Sequence, residues 1–496
     1  MSGREGTRAA SKVGPPDRFE VGMDHRMPEL LEQLRKAVGE SHVVSGDAVG
    51  DDYTHDEALT SVPVTPLAVV LPGSTDEVSE VLKVASQHGV PVVARGSGTG
   101  LSGAAVPVAD GILLAFDRMR RIREIDTENQ VAVVEPGVTL EQLNAELAPL
   151  DLIYPVSPGE PSASLGGNVA TNAGGMRAVR YGVTRHHVLG LEVVLADGRV
   201  LRTGGKFVKC STGYDLTQLL IGSEGTLAVT TEVTVKVQPR FSVSSTVLAP
   251  FGTLAEIAHA VPHIVRSGID PSILEYLDVV VMGSITQASG LELGIPEEVK
   301  AGTLAYLIVV LEGMDADRVD EDVERLGTLL DELGARDVYV LPAASGAQLV
   351  VARERAFYAG KAAGCDDLVD AVIPRAAIPD YLAQVAVLAE EHGAFVTGCG
   401  HIGDGNVHVT VFQPDDERRH AFMRAGFELA LAAGGAISGE HGVGTAKLPY
   451  FLEMQDPVSL ELMRSIKQAF DPAGILGPDR LLGTVHAGPT RAGATS

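Results

Sequence analysis

The segment ARGSGTGLSGAAVP, from Ala94 to Pro107, constrains the fold more than any other part of the chain. Gly98, Gly100 and Gly103 have the spacing G-x-G-x-x-G of dinucleotide-binding loops. In the Rossmann form of this loop a helix begins inside the motif, and the helix N-terminus binds the pyrophosphate. Here the motif runs into Pro107 and then into the strand-like DGILLAF. We therefore expect no helix at this point and no Rossmann fold.

A glycine loop without a helix can still bind phosphate, because successive backbone N–H groups in such a turn form an anion-binding nest. Glycine also permits positive φ angles and lets a ligand approach the backbone closely. A flexible surface turn is the alternative for this segment alone. Two further small-residue segments favour a ligand: PGEPSASLGGNVATNAGG at 158–175 and LLIGSEGTLAVTTEVTVKV at 219–237. Together with the strands between them, the three loops indicate an α+β domain that holds one extended ligand.

Local signals define the elements around these loops. PLAVVLP at 66–72 and PVVAR at 91–95 are apolar runs typical of buried strands. Between them, Ser74 and Glu77 form a capping box for a helix that should end at Gly89. LGLEVVLADGRVLRTG predicts a hairpin with its turn at Asp197-Gly198. A short amphipathic helix is expected from Pro28.

Composition limits the class of protein. A chain of 496 residues predicts two or more domains, and its net charge of −26 without a basic tract disfavours nucleic acid and anionic lipid as partners. Three cysteines without a C-x-x-C pair are typical of a reducing compartment and give no ligands for an iron–sulfur cluster. The chain has neither the apolar core of a secretory signal nor a run of about 18 apolar residues. We expect a cytoplasmic protein without a membrane span, with disordered tails at 1–27 and 485–496.

From about Ser242 the pattern changes to the β-α-β-β-α-β order of a ferredoxin-like domain. The strands are SSTVLAPF, PSILEYLD, LAYLIVVLEG and DVYVLP, with helices from Leu254 and over 317–333. Three more helices are expected near 344–363, 377–393 and 416–433.

The segment GCGHIGDGNVHVTV contains a candidate metal site. If Asp404-Gly405 is a two-residue hairpin turn, His401 and His408 lie directly opposite each other, with Cβ atoms about 5 Å apart. Two structural histidines on a hairpin are the alternative. AISGEHGVG at 436–444 adds Glu440 and His441, and Glu440 would complete a His₂Glu set with an open coordination position, typical of catalytic sites. Zinc or manganese suits this set, and the ligand types do not exclude iron.

Five segments together resemble one flavoprotein superfamily: RGSGTGLSGAAVP, GGNVATNAGG, GSEGTL, GHIGDGNVH and SGEHGVG. They are similar to the vanillyl-alcohol oxidase/p-cresol methylhydroxylase superfamily, in the branch of D-lactate dehydrogenase, D-2-hydroxyglutarate dehydrogenase and the flavin-binding subunit of glycolate oxidase. The resemblance covers about 66–482. It implies an α+β chain with a two-part FAD-binding domain of the vanillyl-alcohol oxidase type at 28–241. A ferredoxin-like substrate and metal domain with C-terminal helices would follow at 242–484, and its end would return to the flavin.

The resemblance also implies which residues bind FAD. The pyrophosphate would lie against Gly96, Ser97, Gly98, Thr99, Gly100 and Ser102. The ribityl chain and flavin would lie against Pro158, Gly167, Asn168, Thr171, Gly174, Gly175, Gly225 and Thr226. Arg95 and Glu224 are included among the cofactor-binding residues.

The same resemblance assigns His401, His408 and Glu440 to the metal and His441 to the catalytic base. Arg353, in VARERAFYAG, would bind the substrate carboxylate, because the guanidinium fork is bidentate. Arg355 is the competing candidate for that role. Lys447 is expected to be solvated, and Cys399 to be a small buried side chain rather than a fourth ligand.

The implied activity is FAD-dependent oxidation of a D-2-hydroxy acid, D-lactate or glycolate, to the 2-oxo acid. Electrons would pass to a quinone, a cytochrome or a flavoprotein, not to NAD. One alternative is a flavin-binding subunit of a glycolate oxidase-type complex, and another is a flavoprotein of the same fold with a non-redox reaction. A homodimer, partner subunits and a peripheral position at the inner face of the membrane are left open.

The sequence departs from the family pattern at Gly477-Pro478-Asp479, where Asn-Pro-Gly is usual. This difference leaves the local contact with the flavin open.

We expect the FAD to be bound non-covalently, because the loop at 94–107 lacks the histidine that attaches FAD covalently in some members of the superfamily. Acid precipitation should therefore release all of the flavin into the supernatant, measured by its absorbance. A yellow protein pellet would contradict this prediction.

Overall fold

The computed structural model describes residues 23–483. The predicted tails lie mostly outside these residues, but the first helix begins at Met23, inside the stretch predicted as the N-terminal tail. The helices of the first half are α1 Met23–Val38, α2 Thr75–His88, α3 Leu140–Leu147, α4 Leu165–Thr171, α5 Ala178–Tyr181 and α6 Leu216–Leu220. Its strands are β1 Val43–Val44, β2 Ala68–Val70, β3 Val92–Arg95, β4 Ile112–Ala115, β5 Ile122–Asp126, β6 Val131–Val134, β7 Leu152–Ile153, β8 Val188–Val194, β9 Val200–Gly204, β10 Val229–Lys236 and β11 Gln238–Pro239.

The glycine loop connects two parallel neighbouring strands. A four-stranded sheet has the order β1-β2-β4-β3, and β3 pairs with β4 in parallel. The chain between β3 and β4 contains no helix, so the prediction of a non-Rossmann loop is confirmed. Helix α2 begins after Ser74, whose hydroxyl accepts the Glu77 N–H, and ends at Gly89 in the left-handed conformation, as predicted.

A second sheet, of five strands, completes the first half in the order β5-β6-β10-β8-β9. Strands β8 and β9 form the predicted hairpin around Asp197-Gly198, with Gly198 at φ +83°. The small-residue segment at 158–175 is not entirely a loop, because it contains α4. Strands β7 and β11 form a third, two-stranded sheet. The separate four-stranded and five-stranded sheets agree with a two-part FAD-binding domain.

The second half contains the strands β12 Val243–Phe251, β13 Ile273–Asp278, β14 Ala305–Gly313, β15 Tyr339–Leu341, β16 Asp367–Val372, β17 Phe395–Gly400 and β18 Asn406–Phe412. Its helices are α7 Leu254–Arg266, α8 Val279–Ser289, α9 Glu297–Lys300, α10 Ala316–Glu332, α11 Ala343–Glu354, α12 Ala356–Ala362, α13 Ile378–His392, α14 Asp416–Ala432, α15 Leu448–Met454 and α16 Pro457–Phe470. No helix within residues 23–483 is both long and apolar enough to cross a bilayer.

One seven-stranded antiparallel sheet organises this half, in the order β15-β12-β14-β13-β17-β18-β16. Its first four strands have the ferredoxin-like arrangement that was predicted. Strands β16, β17 and β18 extend the sheet beyond β13, an extension of which the sequence predicted only the β17–β18 hairpin. Helices α8 and α9 between β13 and β14 were also missed.

Side chains along these strands alternate between the two faces of the sheet. This alternation places apolar residues of the core on one face and charged residues on the other. Helices α7, α10, α13 and α14 cover one face. The apolar side chains that alternate along β13, β16 and β18 enter this core, and they are Leu274, Tyr276, Val369, Ala371, Val407 and Val409. Because successive side chains of a strand point to opposite faces, Glu275, Asp370 and His408 lie together on the other face.

The C-terminal end of the described chain contacts the first half. Leu476 forms a parallel bridge with Val92 at the edge of the four-stranded sheet, and Arg480 donates to the carbonyl of Ala104. Lys467 in α16 fixes this contact, because its buried ammonium donates to the carbonyls of Thr226 (2.7 Å) and Leu476 (2.8 Å) and to Asp471.

Lys467→Ala should lower the free energy of unfolding by about 3–5 kcal/mol, because it leaves the buried Asp471 carboxylate without its cation. Urea unfolding followed by flavin fluorescence measures this change. Arg464→Ala, at an exposed position of the same helix, is the control and should change stability by less than about 0.5 kcal/mol. Equal stabilities of the two variants would contradict the role of Lys467.

Candidate functional site

A cleft between the two halves contains most of the predicted cofactor-binding residues. It encloses about 1440 Å³ of empty space, counting its open mouth. Among the predicted residues, those lining it are Arg95, Gly96, Ser97, Gly98, Thr99, Gly100, Pro158, Gly167, Asn168, Thr171, Gly174, Glu224 and Gly225.

Three predicted cofactor residues do not line the cleft: Ser102, Gly175 and Thr226. The Ser102 hydroxyl lies 2.9 Å from the carbonyl oxygen of His441, and the Thr226 hydroxyl donates to Ser223 O at 2.6 Å. A Cβ at Gly175 would lie 1.7 Å from Ser157 O. These three residues therefore shape the loops that form the cleft wall.

The glycine loop presents backbone to the cleft because its back is tightly packed. A Cβ at Gly96 would lie 1.9 Å from Ser164 Oγ, and a Cβ at Gly98 (φ +74°) would lie 2.0 Å from Arg95 Nη2. The Arg95 guanidinium itself donates to the carbonyls of Asp52 and His55. Arg95 thus supports the loop from behind, and the wall left to a ligand is glycine and serine backbone, which suits a diphosphate.

Three imidazole nitrogens surround one carboxylate oxygen at the edge of this cleft. Glu440 Oε1 lies 3.1 Å from His401 Nε2, 3.3 Å from His408 Nε2 and 3.6 Å from His441 Nε2. The ligand atoms of His401, His408 and Glu440 all lie within 4.8 Å of one another. Glu440 Oε2 is buried without a hydrogen-bond partner among the described residues. This donor set fits a divalent metal with three protein ligands.

The two histidines reach this group by a different register from the predicted one. In the β17–β18 pair, His408 lies opposite Cys399, so the predicted pairing with His401 is wrong. The expected turn at Asp404-Gly405 is also wrong, because the carbonyl of His401 accepts the N–H groups of residues 404, 405 and 406 and closes a longer loop. His401 therefore projects from that loop, and the two rings meet with centroids 4.9 Å apart.

Two buried acids that sequence analysis missed lie beside these imidazoles. Glu275 Oε1 lies 2.6 Å from His401 Nδ1, and Asp370 lies 3.7 Å from His408 Nδ1 and 3.5 Å from His441 Nδ1. Both carboxylates are fully buried, on β13 and β16. Metal-binding histidines commonly have such partners on their second nitrogen. The available signal was one acid inside each apolar strand, ILEYLD and DLVDAV.

Burial and charge together set the protonation of the group. Burial alone would raise the pKa of the Glu440 carboxyl, but His401 and His408 hold it well below its usual range. Burial alone would lower the pKa of His401, but Glu275 and Glu440 raise it. Burial, only partly offset by Asp370, lowers the pKa of His441 to about 4. At neutral pH the His441 imidazole is therefore neutral, with one ring nitrogen unprotonated.

Of the basic residues near the site, Lys447 differs from expectation. Arg353 is buried at the end of α11, with Nη2 at 2.8 Å from Glu275 Oε2, and its Nε and Nη2 have no aligned hydrogen-bond partner among the described residues. It lies one layer behind the cleft, whose wall includes Glu354. Arg355, the competing candidate, is exposed. Lys447 is not solvated as predicted, because its buried ammonium donates to Asp370 and Ser438, each at 3.0 Å.

Cys399 is buried among apolar side chains, and burial raises the pKa of its thiol. Within residues 23–483, the groups of ligand atoms close enough for a metal do not include it. This agrees with the expected role as a small buried side chain.

Two family models match the chain. Residues 66–204 match the FAD binding domain, and residues 241–481 match the C-terminal domain of FAD linked oxidases. An uncharacterised FAD-linked oxidoreductase of Mycobacterium tuberculosis is 53% identical over 92% of this chain and 100% of its own length. The match to the crystal structure of p-cresol methylhydroxylase covers 92% of this chain and 97% of that one, with a TM-score of 0.78 and 20% identity, which describes the fold alone.

Two relatives carry functional names. A D-lactate dehydrogenase of Archaeoglobus fulgidus is 38% identical over 89% of this chain and 98% of its own length. Glycolate oxidase subunit GlcD of Bacillus subtilis is 37% identical over 91% of this chain and 96% of its own length.

Proposed function

Because the chain belongs to the family of FAD-linked oxidases, we propose that it oxidises a D-2-hydroxy acid, D-lactate or glycolate, to the 2-oxo acid. The observation that carries this proposal is the group of His401, His408, His441 and Glu440 at the edge of the flavin cleft. Under this proposal FAD is bound non-covalently, and His401, His408 and Glu440 hold a zinc or manganese ion.

Each cofactor supplies one part of the chemistry. FAD held in the cleft would supply the acceptor for the hydride from C2 of the substrate. A divalent metal held by His401, His408 and Glu440 would supply Lewis-acid activation of the substrate hydroxyl. The protein must then remove the hydroxyl proton and hold the carboxylate so that C2–H faces the flavin.

His441 is the proposed base, with Nε2 as the atom that accepts the proton. That nitrogen lies 3.6 Å from Glu440 Oε1, so it is adjacent to the proposed metal position. Its other nitrogen lies 3.5 Å from Asp370 Oδ2, and Asp370 also accepts the His441 backbone N–H at 3.0 Å. Asp370 therefore orients the ring and stabilises its cationic form after proton transfer.

Arg353 is the proposed partner of the substrate carboxylate, because its buried guanidinium has donors without aligned partners. A second substrate carboxylate would find no such cation. Among the described residues lining the cleft and the small cavity beside His441, Arg95 donates to backbone carbonyls and Lys447 to Asp370 and Ser438. This supports a monocarboxylic substrate.

A second candidate is the flavin-binding subunit of a multi-subunit oxidase, favoured by the likeness to glycolate oxidase subunit GlcD. The electron acceptor is proposed to be a quinone, a cytochrome or a flavoprotein. A cytoplasmic location, at the inner face of the membrane if partner subunits require it, is part of the same proposal. The complete group around Glu440 supports oxidation by this chain itself in either case.

Anaerobic stopped-flow mixing with D-lactate or glycolate should bleach the flavin absorbance, whereas L-lactate and D-malate should reduce it at least about 10-fold more slowly. Prior treatment with EDTA, with FAD kept at a saturating concentration, should abolish reduction by D-lactate while the flavin stays bound, because the metal activates the hydroxyl. Added Zn²⁺ or Mn²⁺ should restore the rate. Full activity of the metal-free protein would contradict the metal role, and no bleaching by any 2-hydroxy acid would contradict the proposed reaction.

Glu275→Gln should weaken metal binding by about 10–100-fold, because it replaces the carboxylate that fixes the His401 ring. The Kd for D-lactate should also rise, since the same carboxylate lies 2.8 Å from Arg353 Nη2. Competition with a chelating dye measures the first effect and stopped-flow titration the second. Glu256→Gln, at the exposed start of α7, is the control and should leave both constants unchanged. Unchanged metal affinity in Glu275→Gln would contradict the role of Glu275.

A further inference from the structure

The segment 438–446, here called the ligand loop, carries Glu440 and His441 and is bonded to side-chain and backbone groups of the other half. Glu224 accepts the Val443 N–H at Oε1 and the Gly444 N–H at Oε2, both at 2.7 Å. The Ser102 carbonyl accepts the N–H groups of residues 445 and 446, at 2.9 and 3.1 Å. Both anchoring residues belong to the loops at the flavin cleft.

The backbone of Glu224, the first anchoring residue, has an unusual conformation. Glu224 is 8% exposed and has φ +52°, a left-handed conformation that residues other than glycine rarely adopt. Such a conformation persists where the surroundings impose it. A Cβ at Gly442 would lie 2.9 Å from Glu224 Oε1, and a Cβ at Gly444 would lie 1.9 Å from Ser102 O. The ligand loop can approach this closely only because those positions are glycine.

The same residue also faces the cofactor. The turn at 223–225 lines the cleft, so its backbone contacts whatever fills that part of the cleft. Both oxygens of the Glu224 carboxylate are used by the ligand loop, and the Glu224 N–H donates to the carbonyl of Ala170 at 2.8 Å. Glu224 thus lies in the wall of the cleft and bonds through its carboxylate to the loop that carries Glu440 and His441.

We propose that Glu224 is a positioning residue that couples flavin binding to metal binding and fixes His441 relative to the flavin. The role rests on the proposed function, because it needs FAD in the cleft and a metal at Glu440. A bidentate carboxylate on two adjacent N–H groups fixes both the distance and the orientation of the ligand loop. An ordered turn at 223–225 therefore holds Glu440 in place for the metal. By linkage, the metal must tighten FAD binding by the same factor.

Glu224→Gln tests this coupling, because the carboxamide keeps the volume of the side chain but can accept only one of the two N–H groups. The Kd of FAD, from flavin fluorescence, is measured with saturating Zn²⁺ and with EDTA. We expect Zn²⁺ to tighten FAD binding by about 5-fold or more in the native chain and by less than about 2-fold in the variant. The rate of flavin reduction by D-lactate should fall by about 10–100-fold, with the substrate Kd within about 3-fold.

Glu192→Gln is the matched control, because Glu192 is a buried acid of the same half that bonds to Thr75 and Thr231 from its place on β8. It should retain the Zn²⁺ effect on FAD. If Glu224→Gln does not fold, judged by circular dichroism, Glu224→Asp replaces it, since its shorter side chain cannot reach both N–H groups. Native coupling and native rate in the Glu224 variant, or an equal loss of coupling in Glu192→Gln, would overturn the proposal.

The coupling measurement uses only Zn²⁺ and FAD, so its outcome is independent of the substrate. Loss of coupling in Glu224→Gln without reduction by any 2-hydroxy acid would support the positioning role and contradict the proposed reaction. Reduction of the native protein by D-lactate, with unchanged coupling in Glu224→Gln, would support the proposed reaction and contradict the positioning role.

Discussion

Each charge buried beside the cleft must have a neighbour of opposite charge, and the site depends on this constraint. A carboxylate or cation in the interior is costly unless it is paired and hydrogen-bonded. Charged groups and imidazoles form one connected series across the sheet, which runs through Arg353, Glu275, His401, Glu440, His408, His441, Asp370 and Lys447. Glu275, between Arg353 and His401, and Asp370, beside Lys447, are the fully buried carboxylates that these neighbours stabilise.

Some members of this series lie on strands of the sheet, and others lie on loops. Glu275 and Asp370 lie on β13 and β16, on either side of the β17–β18 hairpin, and point to the face that lacks the main apolar core. Strands hold side chains more precisely than loops do. His401 and Glu440, which lie on loops, are each bonded to one of these strand carboxylates, through a ring nitrogen or a backbone N–H. The strand carboxylates therefore fix the positions of these two loop residues.

Sequence patterns predicted the features that depend on residues close together in the chain. They predicted few of the contacts between residues that are far apart in sequence. The glycine loop, the capped helix α2 and the histidine group could be identified because their signals span a few residues. The hairpin register could not, because it depends on the His401 carbonyl binding three N–H groups of its own loop. Lys447 was misjudged as solvated because its partner, Asp370, is 77 residues away in sequence. Glu275 is 126 residues from His401, beyond any local pattern.

The ligand loop has anchors in both halves of the molecule. Asp370 accepts the N–H of His441 from the second half, and Glu224 accepts the N–H of Val443 from the first half. His441 is thus placed between two anchors on different sheets. If the halves moved apart, one anchor would break and His441 would leave Glu440 or the flavin loops. A ligand must therefore enter through the open mouth of the cleft, because separation of the halves would break one of the two anchors that place His441.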